Sequence, residues 1–166
     1  MSFIAANAGL GDDMSLIVEK PMQLPVTYAE QQGALLVDDG NGNWAVCGAN
    51  PALIGAVALT NGGADTTSLA GVGGFNIRGR KEFPNNTMQG ILVQNSIRFR
   101  AKFIGTIPAT AGGSYGVIRD TDGIWKVDFT NTATPRVKLV NIDNTTTPEK
   151  QTYVAVTFLA ANVQTN

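Results

Sequence analysis

The chain has 166 residues, one cysteine and no histidine, and its 13 acidic and 12 basic side chains give a net charge of −1. A chain without histidine lacks the usual general base and the commonest metal ligand, which excludes Ser-His-Asp and Cys-His catalysis and histidine-based zinc sites. One cysteine, Cys47, can form neither an internal disulfide nor a thiolate metal site. We therefore predict a non-enzymatic protein of one domain, with no cofactor and no metal.

The first 20 residues are mostly small and polar with two adjacent aspartates, and Lys20 is the first basic side chain. This composition predicts an extended N-terminal arm over 1–20, followed by a single β domain over 21–166. The segment lacks the basic start and apolar run of a secretory signal, and no apolar run in the chain approaches the length of a membrane span. We expect synthesis in a cytoplasm and no membrane partner.

Short runs of β-branched and aromatic residues, separated by Gly, Asn and Thr, recur along the chain and predict strands rather than helices. In chain order the candidate strands are 24–28, 34–38, 44–47, 54–59, 76–80, 90–94, 96–105, 115–119, 123–129, 136–142 and 153–158. The clearest is 96–105, where apolar residues alternate with Arg98, Arg100 and Lys102. The pattern predicts an all-β fold, a compact antiparallel β-barrel or β-sandwich of about ten short strands.

An eight-residue pattern, D-x-[ND]-G-x-W-x-V, occurs at 39–46 and again 81 residues later at 120–127. Asn-Gly and Asp-Gly adopt the positive φ angles that tight hairpin turns need. In each copy the tryptophan and the valine two residues later share one face of the outgoing strand. The repeat predicts two equivalent hairpins in which Trp44 and Trp125 anchor a core. It is consistent with a duplication and also with convergent hairpin chemistry.

Some polar clusters partly match ligand-binding motifs but fit turns better. The segment 61–74 carries five glycines and precedes a strand-like run, so we interpret it as a long mobile loop rather than a phosphate loop. Asp120 could begin a calcium loop, but the twelfth position is Asn131 instead of glutamate. The aspartates that could pair for glycoside hydrolysis lie in or beside turns, without a recognisable cleft motif.

Charge is distributed unevenly along the chain. Residues 1–65 carry a net charge of −6 and residues 66–119 a net charge of +6. Such opposed charge favours association with further copies or with a mixed-charge partner, and it is not typical of strong nucleic-acid binders. The most concentrated basic group is Arg78, Arg80, Lys81, Arg98, Arg100 and Lys102. These residues form either a solvated outer strand face or a docking face for an acidic partner surface.

The last third of the chain resembles a pattern found in small structural proteins of tailed bacteriophages. The resemblance is carried by S-Y-G-V and D-G-I-W-K-V-D within 114–128, by T-P-R-V-K-L-V at 134–140 and by Y-V-A-V-T-F-L at 153–159. Residues 53–59 are weakly similar as well. On these segments the chain is similar to head-decoration (cement) proteins, which tend to be made beside the major capsid protein.

The resemblance implies an all-β domain that binds the outside of an assembled capsid, often as a trimer, and stabilises it by bridging capsomers. It also implies synthesis in a bacterial host's cytoplasm, a final location on the virion, and the major capsid protein as partner, without direct nucleic-acid binding. Two alternatives stay open. One is a tail, fibre or spike component, and the other is a carbohydrate-binding β-sandwich with Trp44 or Trp125 exposed to stack on sugar rings.

Overall fold

The computed structural model describes residues 3–5, 16–21, 33–59, 87–121, 123–142 and 153–164. The described strands are β1 (Phe3–Ala5), β2 (Ile17–Pro21), β3 (Leu35–Asp38), β4 (Trp44–Val46), β5 (Ala56–Ala58), β6 (Thr87–Leu92), β7 (Phe99–Ile104), β8 (Ser114–Arg119), β9 (Trp125–Asp128), β10 (Val137–Ile142) and β11 (Val154–Phe158). A short 3-10 helix, Ala160–Asn162, follows β11. The prediction of an all-β fold is confirmed.

Five strands of the second half close into a barrel. Their order is β7-β11-β10-β8-β9, with every neighbouring pair antiparallel, and β9 returns to pair with β7. This closing pair is parallel, with Lys102 opposite Lys126, and it departs from the antiparallel pattern predicted for the sheet. Strand β7 therefore has two roles, because its first half, Phe99 to Ala101, pairs with β1 and its second half pairs with β9.

The other sheet has the same connectivity as the barrel. Its order is β2-β6-β5-β3-β4, again with antiparallel neighbours, so each strand has a counterpart five strands later in the described chain. Among the described strands, β2 and β4 are not paired through the backbone. Instead, Lys20 of β2 forms an ion pair with Asp38 of β3, and its Nζ lies 4.6 Å from the ring centroid of Trp44 on β4. The described strands thus contain one five-stranded unit twice, the first open and the second closed.

The two predicted hairpins share the same strand register as well as the same sequence motif. Asp38 lies opposite Trp44 and Arg119 lies opposite Trp125, so each five-residue loop has the same position relative to its strands. Both loops are closed by a backbone hydrogen bond of 3.0 Å, from the amide of Asp39 or Asp120 to the carbonyl four residues on. Gly42 and Gly123 have φ angles of 83° and 75°, which side-chain-bearing residues rarely adopt.

Both tryptophans lie in one core that runs through the two units. Trp44 and Trp125 are 0% exposed, and Phe99 and Phe158 pack edge to face with their ring centroids 5.3 Å apart. The indole of Trp44 needs a glycine beside it, because a Cβ at Gly55 would lie 3.2 Å from the ring. Burial of large aromatic side chains is among the strongest contributions to stability that a domain of this size has.

The C-terminal residues connect the two units. After β11 the backbone pairs with Ile54 of the first unit, which donates to Asn162 at 2.8 Å and accepts from Gln164 at 3.0 Å. The side-chain amide of Gln164 forms hydrogen bonds with both backbone groups of Asp38. It accepts from the Asp38 N–H at 2.7 Å and donates to the Asp38 carbonyl at 3.0 Å. In the opposite direction, Asn50 of the first unit accepts from the Val117 amide of the barrel at 3.1 Å.

Two predicted segments differ from the structure or lie outside it. Within the arm predicted over 1–20, the structure describes two paired strands, since β1 pairs with β7 and β2 pairs with β6. Phe3 and Ile4 in β1 and Ile17 and Val18 in β2 are residues that favour strands, and the average composition of the segment concealed them. The glycine-rich segment 61–74 and the candidate strands 24–28 and 76–80 lie outside the described residues.

Replacing either buried indole tests the duplicated core. Trp44→Ala and Trp125→Ala should each lower the free energy of unfolding by about 3–5 kcal/mol, because each leaves a cavity the size of an indole. Leu53→Ala is the control, since Leu53 is 46% exposed and its loss should cost less than about 0.5 kcal/mol. Chemical denaturation followed by circular dichroism measures all three. Tryptophan variants as stable as the control would contradict the role of these indoles as core anchors.

Candidate functional site

The basic side chains of the clearest predicted strand face outwards from the barrel. Ile97, Phe99 and Ala101 are buried, whereas Arg98 and Arg100 between them are exposed and Lys102 is half-buried. The alternation follows from the pleat, which sends successive side chains to opposite faces. The other three members of the predicted basic group, Arg78, Arg80 and Lys81, lie outside the described residues.

Strand pairing adds a lysine that the sequence did not associate with this group. Phe99 lies opposite Val156 and Lys138 lies opposite Thr157. Arg98 immediately precedes β7, so extending this register by one residue places Arg98, Thr157 and Lys138 in one row. Arg98 and Lys138 are exposed. They line an open groove of about 540 Å³, together with Thr157 and with turn residues that include Ser96 and Gly112.

The next cations along β7 lie beside other side chains of the barrel. The guanidinium carbon of Arg100 lies 5.5 Å from the ring centroid of Tyr153, a cation–π distance. Lys102 lies opposite Lys126, and Lys126 donates a 2.5 Å hydrogen bond to Asp120. That bond is the main reason why the pKa of Asp120 is below its ordinary value. We call the outward side chains Arg98, Arg100, Lys102 and Lys138 the basic face.

Two carboxylates of the first unit, those of Asp38 and Asp39, are bound within its own fold. Asp38 pairs with Lys20, whose hydrogen bond lowers the pKa of that carboxyl. Asp39 accepts from the Asn43 side chain at 3.0 Å and from the backbone amides of Asn41 and Asn43, and these bonds lower its pKa as well. Both groups are therefore held ionised in structural roles at neutral pH.

The described residues offer little chemistry beyond charge. Burial raises the pKa of the Cys47 thiol to about 12, so at neutral pH it is a protonated core residue and not a nucleophile. No group of three or more Cys, Asp or Glu side chains in the described part of the chain is placed to hold a metal ion. The helical residues that the structure describes include no stretch long and apolar enough to span a membrane.

Comparison with known proteins gives no assignment: no family model, curated protein or solved structure matches this chain.

The sequence identified the β7 part of the basic face but missed Lys138, Thr157 and Tyr153. Lys138 alternates with buried Val137 and Leu139, which is a visible strand signal. The position of β10 two strands away from β7 is not visible in the sequence, because the two are brought together only by the return of β11 between them. The sequence showed the residue types of these positions but not the order in which their strands pair.

The reactivity of Cys47 is a direct test of its burial. We expect no reaction with a disulfide reagent such as DTNB at pH 8 in the native state, because the thiol is enclosed and its pKa is about 12. The same protein in guanidinium chloride is the control and should react with one equivalent. Rapid native labelling would contradict the burial of this side chain.

The ion pair between Asp38 and Lys20 predicts a pH dependence of stability. A carboxyl with a lowered folded-state pKa stabilises the fold above its unfolded pKa of about 4, and the contribution is lost as the pH falls through the folded value. The free energy of unfolding should therefore fall on acidification below about pH 5. Asp38→Asn should make this loss of stability smaller. Part of the loss should remain, because the pKa values of Asp39 and Asp120 are lowered in the folded state as well. Urea titrations at several pH values give the free energy of unfolding of the wild type and of Asp38→Asn. If both lost stability in parallel on acidification, the contribution of the ion pair would be refuted.

Proposed function

We propose that this chain is a non-enzymatic head-decoration (cement) protein of a tailed bacteriophage. It binds the outer surface of the assembled capsid, with the major capsid protein as its partner, and stabilises the shell by bridging capsomers. It is made in the cytoplasm of a bacterial host and ends on the exterior of the virion. This proposal joins the resemblance of the C-terminal third to the geometry of the barrel.

The observation that carries the proposal is the basic face. Arg98 and Arg100 on the β7 run and Lys138 on β10 project from the closed barrel on either side of β11, and the described residues in the rows between them include no acidic side chain. Clustered exposed charge of one sign steers and orients an oppositely charged surface, while the strands keep the side chains in fixed positions. This arrangement supports docking onto an acidic protein surface better than it supports action on a small molecule.

The burial of both tryptophans weighs against the carbohydrate-binding alternative. A sugar ring stacks on an exposed aromatic face, and Trp44 and Trp125 are each 0% exposed. A tail, fibre or spike component could share the same β body. Binding to heads that lack tails separates that alternative from the proposed one.

Self-association belongs to the same proposal. The described residues of the first unit carry Glu19, Asp38 and Asp39 against Lys20, whereas the outward positions of the barrel are mainly basic. Copies with opposed units can associate head to tail, and three such contacts close a ring. A homotrimer that contacts several capsomers gains affinity from each further contact, so that each interface can be modest.

Purified tailless capsids with and without added protein test this function. Capsids that carry the protein should survive heating or osmotic shock better than bare capsids, because bridging contacts bind the assembled state preferentially. The Arg98→Gln, Arg100→Gln, Lys102→Gln triple variant should associate more slowly and show a weaker dependence on salt.

Equal survival of the two preparations, with the protein absent from sedimented capsids, would refute the cement function. Binding to tailed particles alone would favour the tail alternative. The Leu53→Ala variant, which leaves the basic face unchanged, controls for the handling of the protein and should protect like the wild type.

A further inference from the structure

We infer that the row Arg98–Thr157–Lys138 receives a carboxylate side chain from an acidic, extended segment of the capsid partner. The inference rests on the proposed function and identifies which part of the basic face makes the specific contact. The remaining cations of the face then contribute mainly to attraction at a distance.

The spacing of the row suits a single anionic group. Arg98 and Lys138 lie on either side of the strand that carries Thr157, so their backbones are two strand spacings, about 10 Å, apart. Both side chains are long enough to reach an anion placed above the threonine. There a carboxylate can accept two parallel hydrogen bonds from the guanidinium, one from the lysine ammonium and one from the threonine hydroxyl.

The row also borders the open groove, together with residues of two neighbouring turns. Asn95 and Ser96 come from one turn, and Ala111 and Gly112 come from the other. All four residues are exposed and none is charged. An incoming chain therefore meets uncharged turn residues on which its backbone can rest, while its carboxylate meets the two cations.

The neighbouring cations have different surroundings. Arg100 lies against Tyr153, and Lys102 faces Lys126, which is bound to Asp120. Among the described residues, no carboxylate lies within ion-pair distance of Arg98 or Lys138. A partner carboxylate at this row breaks no ion pair between described residues, so its binding carries a smaller cost than at Lys126, which is bound to Asp120.

Two double variants with the same change in charge test the inference. Arg98→Gln with Lys138→Gln removes the row, and Arg100→Gln with Lys102→Gln is the matched control on the same face. Binding to purified capsids is measured by co-sedimentation at several salt concentrations, after circular dichroism has shown that both variants are folded. We expect the row variant to raise the dissociation constant about tenfold more than the control.

The outcomes separate the inference from the proposed function. If the two variants weaken binding equally, or if the control weakens it more, the row does not make the specific contact. The proposed function would still stand, because the wild type binds capsids. Wild-type protein that does not bind capsids at all would refute both. In competition, a poly-glutamate peptide should block the wild type at a lower charge concentration than duplex DNA does. More effective blocking by DNA would assign the groove to phosphate and overturn the inference.

Discussion

The closure of the second unit through β7 and β9 fixes the orientation of every side chain on β7. Once Lys102 pairs with Lys126 across the closing seam, Phe99 and Ala101 must face the core and Arg98 and Arg100 must face outwards, because a shift of one residue would exchange the two sets. Such a shift would bury two arginines without partners, at a cost of several kcal/mol each. The core and the basic face are thus set by the same register.

Residue alternation was sufficient to predict the fold class and the outward position of Arg98, Arg100 and Lys102. The repeated hairpin motif likewise placed Trp44 and Trp125 at equivalent points. The parallel seam, the pairing of β1 and β2 within the domain, and the proximity of Lys138 to Arg98 were not predictable. Each depends on which strands become neighbours, and long-range pairing leaves no periodic trace in a single sequence.

The repeated unit explains how a chain of nearly zero net charge can present one strongly charged surface. Both units use the same strand order and the same tryptophan hairpin. The first surrounds Asp38 and Asp39 with Lys20, Asn43 and backbone amides, whereas the second projects cations from β7 and β10. The contacts of Gln164 with Asp38 and of Asn50 with Val117 join the two units. These hydrogen bonds run in both directions between the barrel and the first unit, so neither unit depends on the core alone for its position relative to the other.

The central claim is that the barrel docks on the capsid through its basic face. A cryo-electron microscopy reconstruction of capsids incubated with the protein tests it most directly. If the barrel docks in this way, the map should show density on the outer surface in which β7 and β10 face the shell. The Arg98–Thr157–Lys138 row should then meet an acidic residue of the capsid protein. Density with this face directed to solvent, or a capsid surface with no added density at saturating protein, would contradict it.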